Sequence, residues 1–484
     1  MHLRLVKGAY WDYEIKHAQV SGYEGYPVFS KKSLTDIAYL ACAKEILKNK
    51  NIFPKFATHN AHTISSIHHL GEGCDYEFQR LYGMGELLYK SASEVFDLKD
   101  KPSVYSPIGD YKDLLPYLVR RLLENGANSS FINRLLDAET DPKWLSENPY
   151  KRIKSETKDI PLPKNIYASR SNSSGIDITE KQNLEVLKEN LKVYETKIVN
   201  AVSLYEGRKD SKKTSEEVFS ISSGHQIGNV VFDEQAQLKK CLEKNSSNEW
   251  SNTQTEQRSK ILNKIANDIE KNPHELIYYL INEAGKTIQN AIDEIREGVD
   301  FLRYYSNQIL SLSKKVELSG PTGEENIISY SPKGRFLCIS PWNFPVAILI
   351  GQISAALASG NNVMIKPSEH TSILGYLVTK RFHEAGVPLS TLELILGDGI
   401  YGEMLTKINP LHGVAFTGSL PTAKKIQSNL LENQNQIIPL IAETGGINAM
   451  IVDSSALLEQ VTDDVIRSAF DSACLLYTSD AADE

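Results

Sequence analysis

Short apolar runs alternate with helical patterns through the first 140 residues, and this rhythm restricts the fold more than any other feature. Leu3–Val6, Lys55–Thr58, Tyr76–Arg80 and Ser103–Tyr105 read as strands. Leu34–Lys48, Thr63–Leu70 and Leu115–Asn125 read as helices, the last with Pro116 in its first turn, where proline is tolerated. Strand-then-helix repetition predicts parallel βα units, about four of them, or half of a (βα)8 barrel. Half a barrel leaves two open edges and an unfilled interior, so the expectation is a segment that does not close by itself.

From about Asp141 the pattern weakens. Pro142, Pro149, Pro161 and Pro163 precede the polar stretch Ser169–Gly175, and the region 141–234 reads as a linker or connecting segment. Within it Lys181–Val202 reads as a helix and Ser220–Phe232 as a turn or hairpin. Gln254–Lys271 and Asn272–Leu312 carry apolar residues at helical spacing. Then strands return at Phe336–Ser340, Asn362–Ile365, Leu392–Leu396, Gly413–Phe416 and Ile437–Ile441, with helices between, which predicts a doubly wound α/β domain.

Composition removes several alternatives. A net charge of -8 argues against general nucleic-acid binding. The five cysteines are scattered and show no metal-ligand spacing, which fits a reducing cytoplasm. The chain opens without a secretory apolar segment, and its longest apolar stretch, Phe344 to Gly360, is interrupted by Gln352 and reads as a buried helix.

Barrel active sites lie at the C-terminal ends of the strands. Arg4 is a charge inside an apolar strand: either an interior residue paired with a carboxylate or a cation beside an electron-accepting ring. Thr58-His59-Asn60 places three polar residues at one strand end, which favours ligand contact. Arg120 and Arg121 lie on a helix whose buried stripe is Leu115, Leu118 and Leu122. They read either as solvated arginines or as a clamp for a carboxylate. Taken together, Arg4-Leu-Val-Lys-Gly-Ala-Tyr-Trp-Asp12, Phe56-Ala-Thr-His-Asn60 and the stretch from Tyr117 to Ser130 resemble the proline dehydrogenase family. The resemblance implies FAD contacts at Gly8, Ala9, Tyr10, Thr58, His59 and Asn60. It implies that Arg4 stabilises negative charge on the reduced flavin, that Arg120 and Arg121 bind the proline carboxylate, and that Tyr105 packs against the proline ring.

The second half has no GxGxxG fingerprint. Asn343 follows a strand, where its amide could donate to an oxyanion. Lys366 and Glu369 stand at the end of the next strand. Gly418 and Ser419 open a helix, where backbone amides suit a pyrophosphate. Glu443 stands at another strand end, placed to serve as a general base. Pro341-Trp-Asn-Phe-Pro345, Lys366-Pro-Ser-Glu369, Phe416-Thr-Gly-Ser419 and Glu443-Thr-Gly-Gly446, in this order, resemble the aldehyde dehydrogenase family. That implies NAD, with Lys366 and Glu369 on the adenine ribose. The run Glu283-Ala-Gly-Lys-Thr287, with Glu297 and Asp300–Tyr305, is similar to the glutamate-semialdehyde members. Such chemistry needs a nucleophilic cysteine. Ser468–Ala473 matches the approach to it, but Cys474 falls about three positions early, and residues 474–484 read as a foreign tail.

The whole is an α/β chain: the C-terminal half of a (βα)8 flavin barrel (1–140), a connecting region (141–234), an aldehyde dehydrogenase helical and NAD-binding region (235–473), and the tail (474–484). Both modules in one chain resemble the bifunctional proline utilization A family. The resemblance implies oxidation of L-proline to pyrroline-5-carboxylate with FAD, then of glutamate semialdehyde to glutamate with NAD. It also implies a quinone or membrane electron acceptor, a homo-oligomer, and a cytoplasmic location, peripheral at the inner membrane. The expectation for this chain is an incomplete fragment, inactive in both reactions. The alternative is a DNA-binding repressor of proline utilisation, since some members carry such a domain.

Overall fold

The computed structural model describes residues 1–7, 10–96, 98, 101–111, 114–115, 117–119, 148–153, 160–208, 213–244, 249–446 and 448–472. They form two compact units. One comprises Met1–Val20 with Gly25–Pro163, the other Ser21–Glu24 with the chain from Lys164 onward.

Unit 1 is built on four parallel strands in sequential order: β1 (His2–Val6), β2 (Phe53–Ala57), β3 (Glu77–Leu81) and β4 (Ser103–Tyr105). Helices α1 (Trp11–Ser21), α2 (Lys32–Lys48), α3 (Ala61–Leu70) and α4 (Glu86–Phe96) alternate with them. Helix α3 starts where it does because the Asn60 side chain accepts the Thr63 amide at 2.9 Å, satisfying a donor that the helix cannot. Tyr39 and Ala43 of α2, Ile64 and Ile67 of α3 and Tyr89 of α4 cover one sheet face, meeting Phe56 and Phe78. Ile67 is fully buried, so Ile67→Ala would cost about 2–5 kcal/mol. Along β1 exposure alternates: Leu3 and Leu5 are half-buried, whereas His2, Arg4 and Val6 are exposed. The helix expected over Leu115–Asn125 falls largely outside the described residues.

Residues 164–234 fold as part of unit 2. Helix α5 spans Lys181–Lys192, and a three-stranded sheet follows, made of β5 (Val199–Val202), β6 (Lys213–Phe219) and β7 (Gln226–Asp233). The single helix expected over Lys181–Val202 is therefore corrected to a helix and a strand. Val199–Val202 pairs in parallel with β7, and this non-local partner overrides helical periodicity. The hairpin expected near Ser220–Phe232 is present, with β6 antiparallel to β7.

Next come α6 (Gln235–Lys244), α7 (Thr255–Lys271), α8 (His274–Asn282) and α9 (Ile288–Leu312). The helical run expected over Asn272–Leu312 breaks between α8 and α9, where Gly285 takes φ 68° and Thr287 caps α9 by accepting the Asn290 amide at 3.2 Å. A ribbon of β8 (Val316–Leu318) and β9 (Asn326–Ile328) leads to the main sheet.

That sheet contains β10 (Arg335–Ile339), β11 (Asn362–Lys366), β12 (Leu392–Leu394), β13 (Gly413–Gly418) and β14 (Leu440–Thr444). The order is β12-β11-β10-β13-β14, all parallel. Connecting helices are α10 (Ala347–Ala358), α11 (Ser372–Ala385), α12 (Gly399–Thr406) and α13 (Leu420–Asn433), with α14 (Leu458–Val465) after β14. β10 and β11 read as near-continuous apolar runs because both faces are covered. The chain leaves β10 towards β11 and β12, then returns to its other side for β13. The crevice between β10 and β13, at their carboxyl ends, is where open α/β sheets bind ligands.

Two candidate active sites

In unit 1 Thr58, His59 and Asn60 follow the carboxyl end of β2, Tyr105 ends β4, and Arg4 lies within β1. The guanidinium of Arg4 lies over the Tyr105 ring, 5.5 Å from its centre. Arg4 makes no ion pair among the described residues, so the reading that pairs it with a carboxylate finds no partner there. Lys7, one turn of the pleat beyond Val6, does pair: its Nζ donates to Asp36 Oδ1 at 2.5 Å and to Thr63 Oγ1 at 2.9 Å. Arg4 lies within the apolar strand, and Lys7 is the cation that follows its end.

Thr58, His59 and Asn60 converge at the end of β2, each with a structural task. Thr58 is buried, and its carbonyl accepts the Tyr89 hydroxyl at 2.8 Å. His59 Nε2 accepts the Leu81 amide at 3.2 Å, which leaves the ring proton on Nδ1 in the neutral form. Asn60 caps α3. Tyr10 is exposed just ahead of α1. Gly8, Ala9, Arg120 and Arg121 lie outside the described residues.

In unit 2 the six named residues line one cleft of about 790 Å³ at the carboxyl edge of the sheet. Asn343 enters from the loop after β10, Lys366 and Glu369 from the end of β11, Gly418 and Ser419 from the end of β13, and Glu443 from β14. Lys366 is buried; its Nζ donates to the Pro367 carbonyl at 2.9 Å and lies 3.5 Å from Glu369 Oε2. Burial pushes its pKa below the usual lysine range, and the Glu369 carboxylate partly offsets this. Asn343 Oδ1 is buried with no hydrogen-bond partner among the described residues, so the amide is not consumed by the fold on that side. Glu443 is exposed, and pairs in register with Thr417.

Ser419 caps α13 by accepting the Thr422 amide at 3.4 Å. Pro421 has no N–H and the Ala423 amide bonds to the Ser419 carbonyl at 3.0 Å, so Leu420 supplies the helix amide open to an anion. Sequence reading missed Gln352. Its Nε2 donates to the Ile339 carbonyl and to Thr417 Oγ1, both at 3.2 Å, and ties β10 to β13 beneath the cleft. A polar residue inside an apolar helix was the available signal. Cys338, on β10, is fully buried and its thiol is pushed up to about 12, which disqualifies it as a nucleophile. Cys474 lies outside the described residues.

The aldehyde dehydrogenase family profile matches residues 208–474, and the proline dehydrogenase profile matches residues 1–134. The chain is 42% identical to the bifunctional protein PutA of Salmonella typhimurium over 97% of its own length and 37% of that protein's. It is 36% identical to a 1-pyrroline-5-carboxylate dehydrogenase of Geobacillus thermodenitrificans, covering 46% of this chain and 44% of that one. The crystal structure of proline utilization A from Bdellovibrio bacteriovorus, inactivated by N-propargylglycine, superposes with a TM-score of 0.86 at 29% identity, over 97% of this chain and 50% of that one. The chain thus spans 37% of the length of the curated relative matched along nearly all of it.

Proposed function

The chain belongs to the aldehyde dehydrogenase family, and from that premise we propose that the protein joins two oxidations that carry L-proline to glutamate. Unit 1 would serve FAD-dependent oxidation of proline to pyrroline-5-carboxylate. Unit 2 would serve NAD-dependent oxidation of the hydrolysed form, glutamate semialdehyde. The observation that carries this reading is the gathering of Asn343, Lys366, Glu369, Gly418, Ser419 and Glu443 on one cleft at the sheet's switch point.

The donors present fit a dinucleotide. A buried ammonium with a carboxylate beside it suits ribose hydroxyls, and a helix N-terminus suits a pyrophosphate. When bound, NAD supplies the hydride acceptor. The protein's share is geometric and protonic. Lys366 and Glu369 hold the ribose, Leu420 and Ser419 meet the phosphates, and the Asn343 amide donates to the oxygen that gains charge. Glu443 takes the proton of the hydrolytic water.

On unit 1, FAD supplies the two-electron acceptor. Arg4, without a carboxylate partner among the described residues, fits negative charge on a reduced flavin. Gly8, Ala9, Tyr10, Thr58, His59 and Asn60 would line its ring and phosphates. Tyr105 would face the proline ring, and Arg120 and Arg121 its carboxylate.

The reading extends to a homo-oligomer, supported by the β8–β9 ribbon, where Val316, Leu318, Ile327 and Ile328 are exposed. It extends to a cytoplasmic protein passing electrons to a membrane quinone from the periphery. Free cysteines at Cys42, Cys74, Cys241 and Cys338 support a reducing compartment. No helix among the described residues is long and apolar enough to cross a membrane.

The test is calorimetric titration of the purified protein with NAD+, beside Lys366→Glu. Saturable binding that the charge reversal abolishes supports the reading. Absence of binding, or binding indifferent to the reversal, overturns it.

A further inference from the structure

A buried ion pair lies outside the cleft lining, joining Lys286 of the run Glu283–Thr287 to Glu294, and neither residue has been given a role above. Lys286 Nζ stands 3.0 Å from Glu294 Oε2, with the side chains 4% and 0% exposed. Isolated charges at such depth are costly, so the pair must be bound up with further contacts. Glu294 Oε1 accepts the Val346 amide at 2.8 Å and the Ala347 amide at 3.3 Å. These are donors at the start of α10 that the helix cannot satisfy. Lys286 Nζ lies 3.9 Å from the centre of the Phe344 ring, within range of a desolvated cation–π contact.

Both partners thus grip the same short loop, Pro341–Val346, which carries Asn343 into the cleft. The loop's other end is held by the sheet, where the Ser340 amide donates to the Lys366 carbonyl at 3.2 Å. Between these anchors Asn343 Oδ1 has no partner among the described residues, so nothing on that atom fixes the amide. Its place depends on the loop, and the loop depends on Lys286 and Glu294.

We propose that Lys286 and Glu294 are positioning residues that set the Asn343 loop, and with it one wall of the dinucleotide cleft. This rests on the reading of the cleft as an NAD site. Lys286 acts through Phe344 and Glu294 through two backbone amides; neither touches the reacting atoms.

The experiment compares the wild-type chain with Lys286→Met and with the double variant Lys286→Met/Glu294→Gln. The single variant strands a buried carboxylate and loses melting temperature. The double variant is neutral and of similar volume, and regains it. Two further readouts separate positioning from support: hydrogen exchange of a peptide covering 341–347, and the calorimetric Kd for NAD+. In the double variant, loop exchange should rise about tenfold and Kd about tenfold, the size expected when a charge-assisted hydrogen bond gives way to a neutral one. A double variant with wild-type loop exchange and wild-type Kd overturns the proposal and leaves the pair a space-filling feature. If the wild type binds no NAD+, the cofactor reading fails, and loop exchange alone still decides whether the pair sets the loop. If the single variant fails to fold, the double variant carries the same decision.

Discussion

Arg4 and Tyr105 stand on the first and last strands of a four-stranded sheet, yet the guanidinium lies 5.5 Å from the ring centre. Three interstrand spacings on a flat sheet measure about 14 Å. Both side chains lie on the sheet face away from α2, α3 and α4, and their length carries the guanidinium to the ring across β2 and β3.

Arg4→Ala should change thermal stability little, by about 0.5–1 kcal/mol, because an exposed cation–π contact is worth no more. The flavin content of the purified protein should fall in the same variant. Melting curves and the flavin absorbance band read the two effects separately. A variant with full flavin content and unchanged flavin reduction by proline removes Arg4 from the site.

Lys366 is held below its ordinary pKa by burial, with Glu369 opposing. Its folded-state pKa thus lies below that of the unfolded chain. The stability it contributes is present above the unfolded pKa and is lost as pH falls through the folded one. At neutral pH the buried ammonium is a burden that binding justifies. Lys366→Met should therefore melt at or above the wild-type temperature at pH 7 while losing NAD+ affinity. A marked drop in melting temperature would make Lys366 a structural residue.

Glu283 is fully buried, and its two oxygens accept the Ile373 and Leu374 amides at 2.8 and 2.9 Å, at the start of α11. Burial raises its pKa to about 8, with the two amides opposing. A raised folded-state pKa gives stability that is complete at low pH and declines as pH rises through about 8. Melting temperatures at pH 5.5 and 8.5 should diverge in the wild type more than in Glu283→Gln. Equal pH dependence in the two proteins would show that the amides keep Glu283 ionised throughout.

Gly228 sits where a Cβ would meet Ile373 Cδ1 at 2.5 Å and the Val199 carbonyl at 2.7 Å. The second neighbour is backbone of a paired strand and cannot yield. Gly228→Ala should cost about 1–3 kcal/mol in denaturant melts. A cost below about 0.5 kcal/mol, the range of neutral surface changes, would mean that β5 shifts freely against β7.

The strand–helix rhythm was legible because each unit repeats it locally, and five of the six unit 2 site residues stand at or just past strand ends. Asn343 follows its strand by four positions and was found through Pro341-Trp-Asn-Phe-Pro345. What escaped depends on tertiary partners. Val199–Val202 has helical spacing but a strand for a neighbour. Lys286 stands out only as part of the run Glu283–Thr287 and Glu294 not at all, since no local pattern says that a lysine and a glutamate will be buried against each other. The run from Asn272 to Leu312 reads as unbroken, because the periodicity continues across Gly285, whose positive φ is set together with the Thr287 cap. The proline-side arginines, Arg120 and Arg121, rest on resemblance.

The Leu204 and Leu394 backbones exchange hydrogen bonds of 2.8 and 2.7 Å, and nearby the Ser203 hydroxyl accepts the Leu396 amide across 193 positions of chain. A ribosome adding about 5–20 residues per second needs roughly 10–40 s to supply that partner. Through that interval the β5–β7 sheet has an open edge and no main sheet to lean on. The growing chain is therefore most exposed to mispairing while the residues between Leu204 and Leu394 are being made, and slower translation there would lengthen the hazard.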